Sequence, residues 1–150
     1  CQLAKFLEID GVWGISISYG NLIVDNCTIS GNSADYGGGI YNGGTLTITS
    51  STISGNTATY SGGGIYHYSG TLTITSSTIS DNDATDQGGG IYLYSDINVA
   101  IGGIDGDDTD NFNDFTNNYK TGYAPSADQH IRNSSGDCHT VYPYNSYTPN

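Results

Sequence analysis

The sequence predicts an all-β solenoid, a parallel β-helix with about 25–26 residues and three short strands per coil. Two observations carry this. The stretch GGGIYNGGTLTITSSTISGN (37–56) returns as GGGIYHYSGTLTITSSTISDN (62–82). Aliphatic positions keep the same steps: Ile40, Ile65 and Ile91 lie 25 and 26 residues apart, as do Ile53 and Ile79 at 26. A fixed period in this range is the signature of stacked repeats.

Within one period the strands follow from alternation. Gly39 to Tyr41 is the first piece. In the second, Thr45, Leu46, Thr47, Ile48 and Thr49 alternate outward and inward. Ser51 to Ser54 is the third. Period two with Thr, Ile and Tyr is strand chemistry, and Gly, Asn and Ser between the pieces suit turns. One period cannot bury its few aliphatic residues. Stacking makes each of them a column and closes a narrow core.

The N-terminal segment threads backwards onto this unit. Ile29 takes the place of Ile53, Asn32 of Asn56, Leu22 of Leu46, Val24 of Ile48 and Ile15 of Ile40. Residues 1–20 form an irregular first coil, with Trp13 covering the start of the core. Cys1 lies one coil before Cys27, which predicts a disulfide between them and stacks Leu3 on Ile29. Cys138 is then left over, buried as a thiol or paired between chains. A chain that begins at Cys1 also admits a lipid-anchored N-terminus.

Coil four starts at Gly88-Gly89-Gly90-Ile91-Tyr92 and sets Ile97 on Leu72 and Val99 on Ile74, leaving Asn98 and Ala100 outward. An acidic insertion spans 101–113. The repeat resumes at Phe115-Thr116-Asn117-Asn118, matching Ile79 to Asn82. Coils thus occupy 1–118, and 119–150 is a degenerate coil and tail. There Ile131 is an Ile40-like rung, Cys138 and Thr140 take Leu46-like and Ile48-like places, and a tyrosine-rich stretch runs from Tyr142 to Pro149.

The unit GGGIYN-GTLTITSSTISGNTA resembles the repeat of right-handed parallel β-helix proteins of microbial surfaces, including adhesin-like and polymorphic outer-membrane-type proteins. The resemblance covers roughly residues 14–118. It implies the handedness of the coil and an extracellular or cell-surface setting. It does not choose among lyases, adhesins and passive stalks, all of which the fold carries.

Composition narrows the function. The net charge is −12, and the strong bases are Lys5, Lys120 and Arg132. Nucleic acid needs a basic face, so it is an unsuitable partner, as are anionic membranes and polyanionic sugars. No stretch is apolar enough to span a bilayer. No signal peptide is visible, which reads as a mature or processed chain. Asn26-Cys27-Thr28 and Asn133-Ser134-Ser135 are glycosylation sequons, though such triplets also arise by chance in sequence this rich in Asn, Ser and Thr.

Asn32, Asn56, Asn82 and Asn118 recur at one place in the coil, where side-chain amides can hydrogen-bond along the stack. The glycine triplets permit a tight corner with positive φ. Tyr41, Tyr66 and Tyr92 form an outward ladder: support for the coil, or a platform for sugar rings or a second subunit. Thr45, Thr47 and Thr49 over Thr71, Thr73 and Thr75 resemble the arrays of ice-binding solenoids, but over two coils only. Asp105, Asp107, Asp108 and Asp110 offer oxygens of the kind calcium prefers. They lack the EF-hand spacing, and a solvated acidic loop is the simpler reading. No other cofactor is implied.

Catalysis finds little support. Lyases of this fold use an Arg or Lys base, and the strong bases lie outside the regular coils. Asp81 and Asp83 occupy a corner, and His67 has no nucleophilic partner in sequence. The expectation is a non-enzymatic extracellular structural protein, a surface or filament subunit that assembles head to tail with itself through its β-helix edges. The alternative is an adhesin that binds glycans through its tyrosines or C-terminal loops.

Overall fold

A computed structural model describes residues 2–4, 14–94, 99–101, 114–116, 118–120 and 131–133, the short outlying strands at the level of the backbone. Every described element is a strand, numbered here in chain order. One sheet is built from β2 (Ile15–Ile17), β6 (Ile40–Asn42), β10 (Ile65–His67), β14 (Ile91–Leu93) and β18 (Ile131–Asn133). A second is built from β3 (Asn21–Asp25), β7 (Thr45–Thr49), β11 (Thr71–Thr75) and β15 (Val99–Ile101). A third holds β4 (Thr28–Ser30), β8 (Thr52–Ser54), β12 (Thr78–Ser80) and β16 (Asp114–Thr116). All pair in parallel, coil on coil.

These are the three strands per coil that the sequence anticipates. A fourth ladder joins them: β5 (Ser33–Tyr36), β9 (Thr57–Ser61), β13 (Asp83–Ala84) and β17 (Tyr119–Lys120). Its inward residues are alanines, Ala34, Ala58 and Ala84, all buried. Short side chains let this wall approach the others closely, and they give no aliphatic alternation to read.

The register of the first full coil is the one threaded from sequence. Ile15 pairs with Ile40, Leu22 with Leu46, Val24 with Ile48 and Ile29 with Ile53. Phe115 pairs with Ile79 and Ile131 with Ile91. Ile40, Leu46, Ile48 and Ile53 are 0% exposed, as are their counterparts Ile65, Leu72, Ile74 and Ile79. Each such side chain contributes about 1.5–3 kcal/mol by leaving water.

Two expectations change. Leu3 does not stack on Ile29. Instead β1 (Gln2–Ala4) runs antiparallel along β3, with Gln2 opposite Asp25 and Leu3 opposite Val24. Coil four is also two residues out of the expected phase: Val99 sits on Leu72, Ala100 on Thr73 and Ile101 on Ile74. Ile101 therefore closes a strand and does not begin the insertion. Cys1, Trp13, Ile97, Asn98, the acidic loop, Cys138, Thr140 and the tyrosine tail lie outside the described residues.

The corners repeat as faithfully as the strands. One residue at each bend has positive φ. Gly37, Gly62 and Gly88 turn the chain into the Ile-Tyr strands, with φ of 63°, 72° and 62°. The ladder continues through them, Gly38 N–H donating to Gly62 O and Gly39 N–H to Gly63 O, each at 3.1 Å.

Candidate functional site

The outward face of the first sheet is aromatic. In β6, β10 and β14 the first and third residues point inward, so the central tyrosine points out. Backbone register places Tyr66 between Tyr41 and Tyr92. Strand spacing then sets the rings face to face: Tyr41 and Tyr66 have centroids 5.4 Å apart at 7°, and Tyr66 and Tyr92 are 5.2 Å apart at 21°.

Four tyrosines that the ladder reading omitted extend this face. Tyr68 and Tyr94, just past β10 and β14, stack at 5.1 Å. Tyr36 and Tyr60, from the fourth sheet, stack at 5.0 Å. Tyr36 meets the edge of Tyr66 at 5.0 Å, and Tyr41 stacks on Tyr68 at 6.2 Å. The seven rings form one connected cluster. Tyr68 and Tyr94 are 26 residues apart, so the period itself could have found them. Tyr36 and Tyr60 break the phase because a bulge between Ala34 and Tyr36 shifts the ladder.

The cluster has a buried centre and a wet rim. Tyr66 is 7% exposed, while Tyr68 and Tyr94 are 46% and 51% exposed. Burial, then the neighbouring phenols Tyr92 and Tyr41, holds the Tyr66 hydroxyl well above the usual phenol range. Burial raises Tyr41 and Tyr92 as well, followed by Tyr68 for the first and Asp86 for the second. Tyr66 has rings on both faces, so it presents no platform to a sugar. The rim tyrosines do present ring surface to solvent.

Behind one corner runs the asparagine ladder. Asn56 Nδ2 donates to Asn82 Oδ1 at 3.0 Å, and Asn82 Nδ2 to Asn118 Oδ1 at 2.9 Å. Asn32 Nδ2 donates to Asn56 Oδ1 at 3.1 Å. Backbone groups fix each amide: Asn56 N–H donates to Asn82 Oδ1, and Asn56 Nδ2 donates to Ile29 O. Asn56, Asn82 and Asn118 are fully buried. This is structural satisfaction of interior amides.

A second polar pair is buried beneath the tyrosines. His67 is 0% exposed and receives a hydrogen bond at Nδ1 from Asn42 Nδ2, 2.9 Å away. Asn42 Oδ1 in turn accepts from Gly44 N–H. The acceptor role of Nδ1 puts the ring proton on Nε2, which is buried with no hydrogen-bond partner. Burial pushes the His67 pKa down.

The remaining residues singled out in the sequence fall apart spatially. Thr45, Thr47 and Thr49 register with Thr71, Thr73 and Thr75. Ile23 and Ala100 flank that patch at its central column, which confines it to two coils. Cys27 is buried, its N–H donating to Ser51 Oγ at 3.0 Å and its Sγ 3.2 Å from Asp25 O. Asn26 is exposed at a corner with φ of 50°. Asn133 lies in β18, where the backbone alone is described. Among the described residues no group of three or more His, Cys, Asp or Glu could hold a metal. None of their helices is long and apolar enough to cross a membrane.

A family model described as a right handed beta helix region matches residues 8–135, well over half of the chain. No curated protein and no solved structure matches.

Proposed function

This chain belongs to the right-handed β-helix family, and from that premise we propose that it is a non-enzymatic extracellular structural protein whose coils dock end to end. One observation carries the reading. Among the described residues β2, β4 and β5, and β15 to β18 at the other end, have a strand partner on one side only. Such edges carry backbone N–H and C=O groups ready to pair with another chain. The last coil of one subunit on the first coil of the next is a heterologous contact, which propagates. The β1 arm covers the N-terminal edge of the threonine-bearing sheet. The joint therefore runs through the other three sheets, and the tail from Tyr142 to Tyr147 reinforces it.

The non-enzymatic part rests on what the coils present: hydroxyls and phenols on their outer faces, with the titratable His67 sealed in the core. The extracellular setting rests on composition and on the exposed Asn26 of the first sequon. A Cys1–Cys27 disulfide belongs to the same proposal. Gln2 opposite Asp25 brings the start of the chain within two residues of Cys27, and an oxidising compartment would close the bond. Calcium binding by the acidic loop is kept as a subsidiary proposal, resting on its carboxylates alone.

Size-exclusion chromatography with light scattering tests the assembly. The intact chain is expected to grow with concentration, and a chain ending before Tyr142 to grow less. An intact chain that stays monomeric over a wide concentration range sinks the reading. A second reading, glycan binding, is favoured by the half-exposed rings of Tyr68 and Tyr94. Glycan-array binding that disappears in Tyr94→Ala would establish it. Tyr66→Ala does not discriminate, because its ring is part of the packing.

A further inference from the structure

The protein has 13 tyrosines, one tryptophan and no methionine. Oxidising equivalents that reach it therefore meet phenols before other soft side chains. The described tyrosines of the first and fourth sheets are also in ring contact, pair by pair. At the rim the partners come from successive coils: Tyr68 with Tyr94 at 5.1 Å, and Tyr36 with Tyr60 at 5.0 Å. All four are exposed, at 46%, 51%, 38% and 48%.

We propose that Tyr68–Tyr94 and Tyr36–Tyr60 are sites of oxidative dityrosine formation, covalent staples that tie one coil to the next. The co-reactant is a one-electron oxidant, of the peroxidase or photogenerated metal-complex class. Each phenol gives up one electron to the oxidant and one proton to water. The two phenoxyl radicals couple through ring carbons ortho to oxygen, forming one C–C bond. The hydrogens on those carbons then leave as the rings re-aromatise, and both oxygens regain a proton. The net change is loss of two hydrogens and two oxidant equivalents reduced.

Geometry favours these pairs over others. Holding two reacting groups in place makes a bimolecular step effectively unimolecular. The ring centres are already close to the separation of a biaryl. Solvent at the rim accepts the phenolic protons, whereas the buried Tyr66 hydroxyl holds its own. A radical formed in the centre has a path outward, through the Tyr36–Tyr66 contact to one pair and through Tyr41–Tyr66 and Tyr41–Tyr68 to the other. Tyr19 is 89% exposed and stands outside these contacts, so it reports what exposure alone would do.

The test is visible-light oxidation of the dilute intact chain with ruthenium tris(bipyridyl) and persulfate, followed by intact mass and peptide mapping. The expected product is a monomer lacking two hydrogens per bond, with Tyr68 joined to Tyr94 and Tyr36 to Tyr60. Tyr94→Phe keeps the ring and is expected to lower the first link about tenfold or more while sparing the second. Denaturant is expected to abolish both preferences. Links distributed by exposure with Tyr19 foremost, links formed only between chains, or a pattern unchanged by denaturant would each overturn the proposal.

Discussion

Asn56 is hydrogen-bonded at every polar atom it has. Its Oδ1 accepts from the backbone and amide of Asn32. Its Nδ2 donates to Ile29 O and Asn82 Oδ1, its N–H to Asn82 Oδ1, and its carbonyl accepts from Asp83 N–H. Asn56→Ala strands the Ile29 carbonyl and the Asn32 N–H in a dry interior. The expected loss is about 3 kcal/mol, read as a lower denaturation midpoint at unchanged slope. Ile53→Asp buries an unpaired charge at a position that is 0% exposed, and is expected to cost several kcal/mol in the same measurement. His67 gives a pH dependence. Burial lowers its pKa in the native state, while the unfolded chain takes up the proton near about 6.5. Stability from this site is complete above that pH and falls as pH drops from there towards the lower native value, by up to about 1.4 kcal/mol per pH unit. His67→Leu, which copies Leu93 on the next rung, is expected to flatten the pH–stability curve in that window. An equal slope in both proteins would show that His67 does not set it.

At the scale of elements, the corners decide more than the strands. A Cβ on Gly63 would press on the carbonyl oxygens of Asp83 and Gly89, the second at 2.5 Å. Both belong to the next coil, so Gly63→Ala must spread the stack, and a loss of at least about 2 kcal/mol is expected by thermal unfolding. Asp81 is the opposite case. It has φ of 55° where the preceding coils have Gly31 and Gly55. Asp81→Gly is expected to be neutral or stabilising by about 0.5 kcal/mol, relief of the left-handed strain outweighing the entropy of the glycine. The same corners explain what the sequence could reveal. Threading Ile15, Leu22 and Ile29 worked because one face is buried and a slip of one residue inverts every side chain. The slip in coil four was invisible for the complementary reason. It is a shift of two, which preserves inward and outward parity, so Val99 and Ile101 fit as well as Ile97 and Val99. Alternation around Leu3 likewise specifies a face and carries no strand direction, which left the antiparallel β1 unread. Tyr36 and Tyr60 escaped because their columns are displaced by a bulge.

For the molecule as a whole, charge opposes the proposed docking. Each subunit carries a net −12, and stacked copies bring that charge within one Debye length, about 10 Å at 0.1 M salt. Assembly measured by light scattering is expected to strengthen as salt is raised from about 20 mM to about 500 mM. Assembly that weakens over this range would point to a joint held by ion pairs in place of backbone edges. Removing β1 bares the edge of β3 and is expected to promote association further.

The asparagine ladder has one more consequence. Every amide in it faces the same way, its oxygen toward the preceding coil and its nitrogen toward the following one. Aligned dipoles add, and chains of hydrogen bonds polarise one another. The solenoid is thus an electrically polar rod, negative at the Asn32 end of this column and positive at the Asn118 end. Copies placed tail to head continue the column with opposite partial charges in contact, whereas copies placed head to head would bring two amide oxygens together. Polarity built into a single column of side chains thereby gives any filament of this protein one direction of growth.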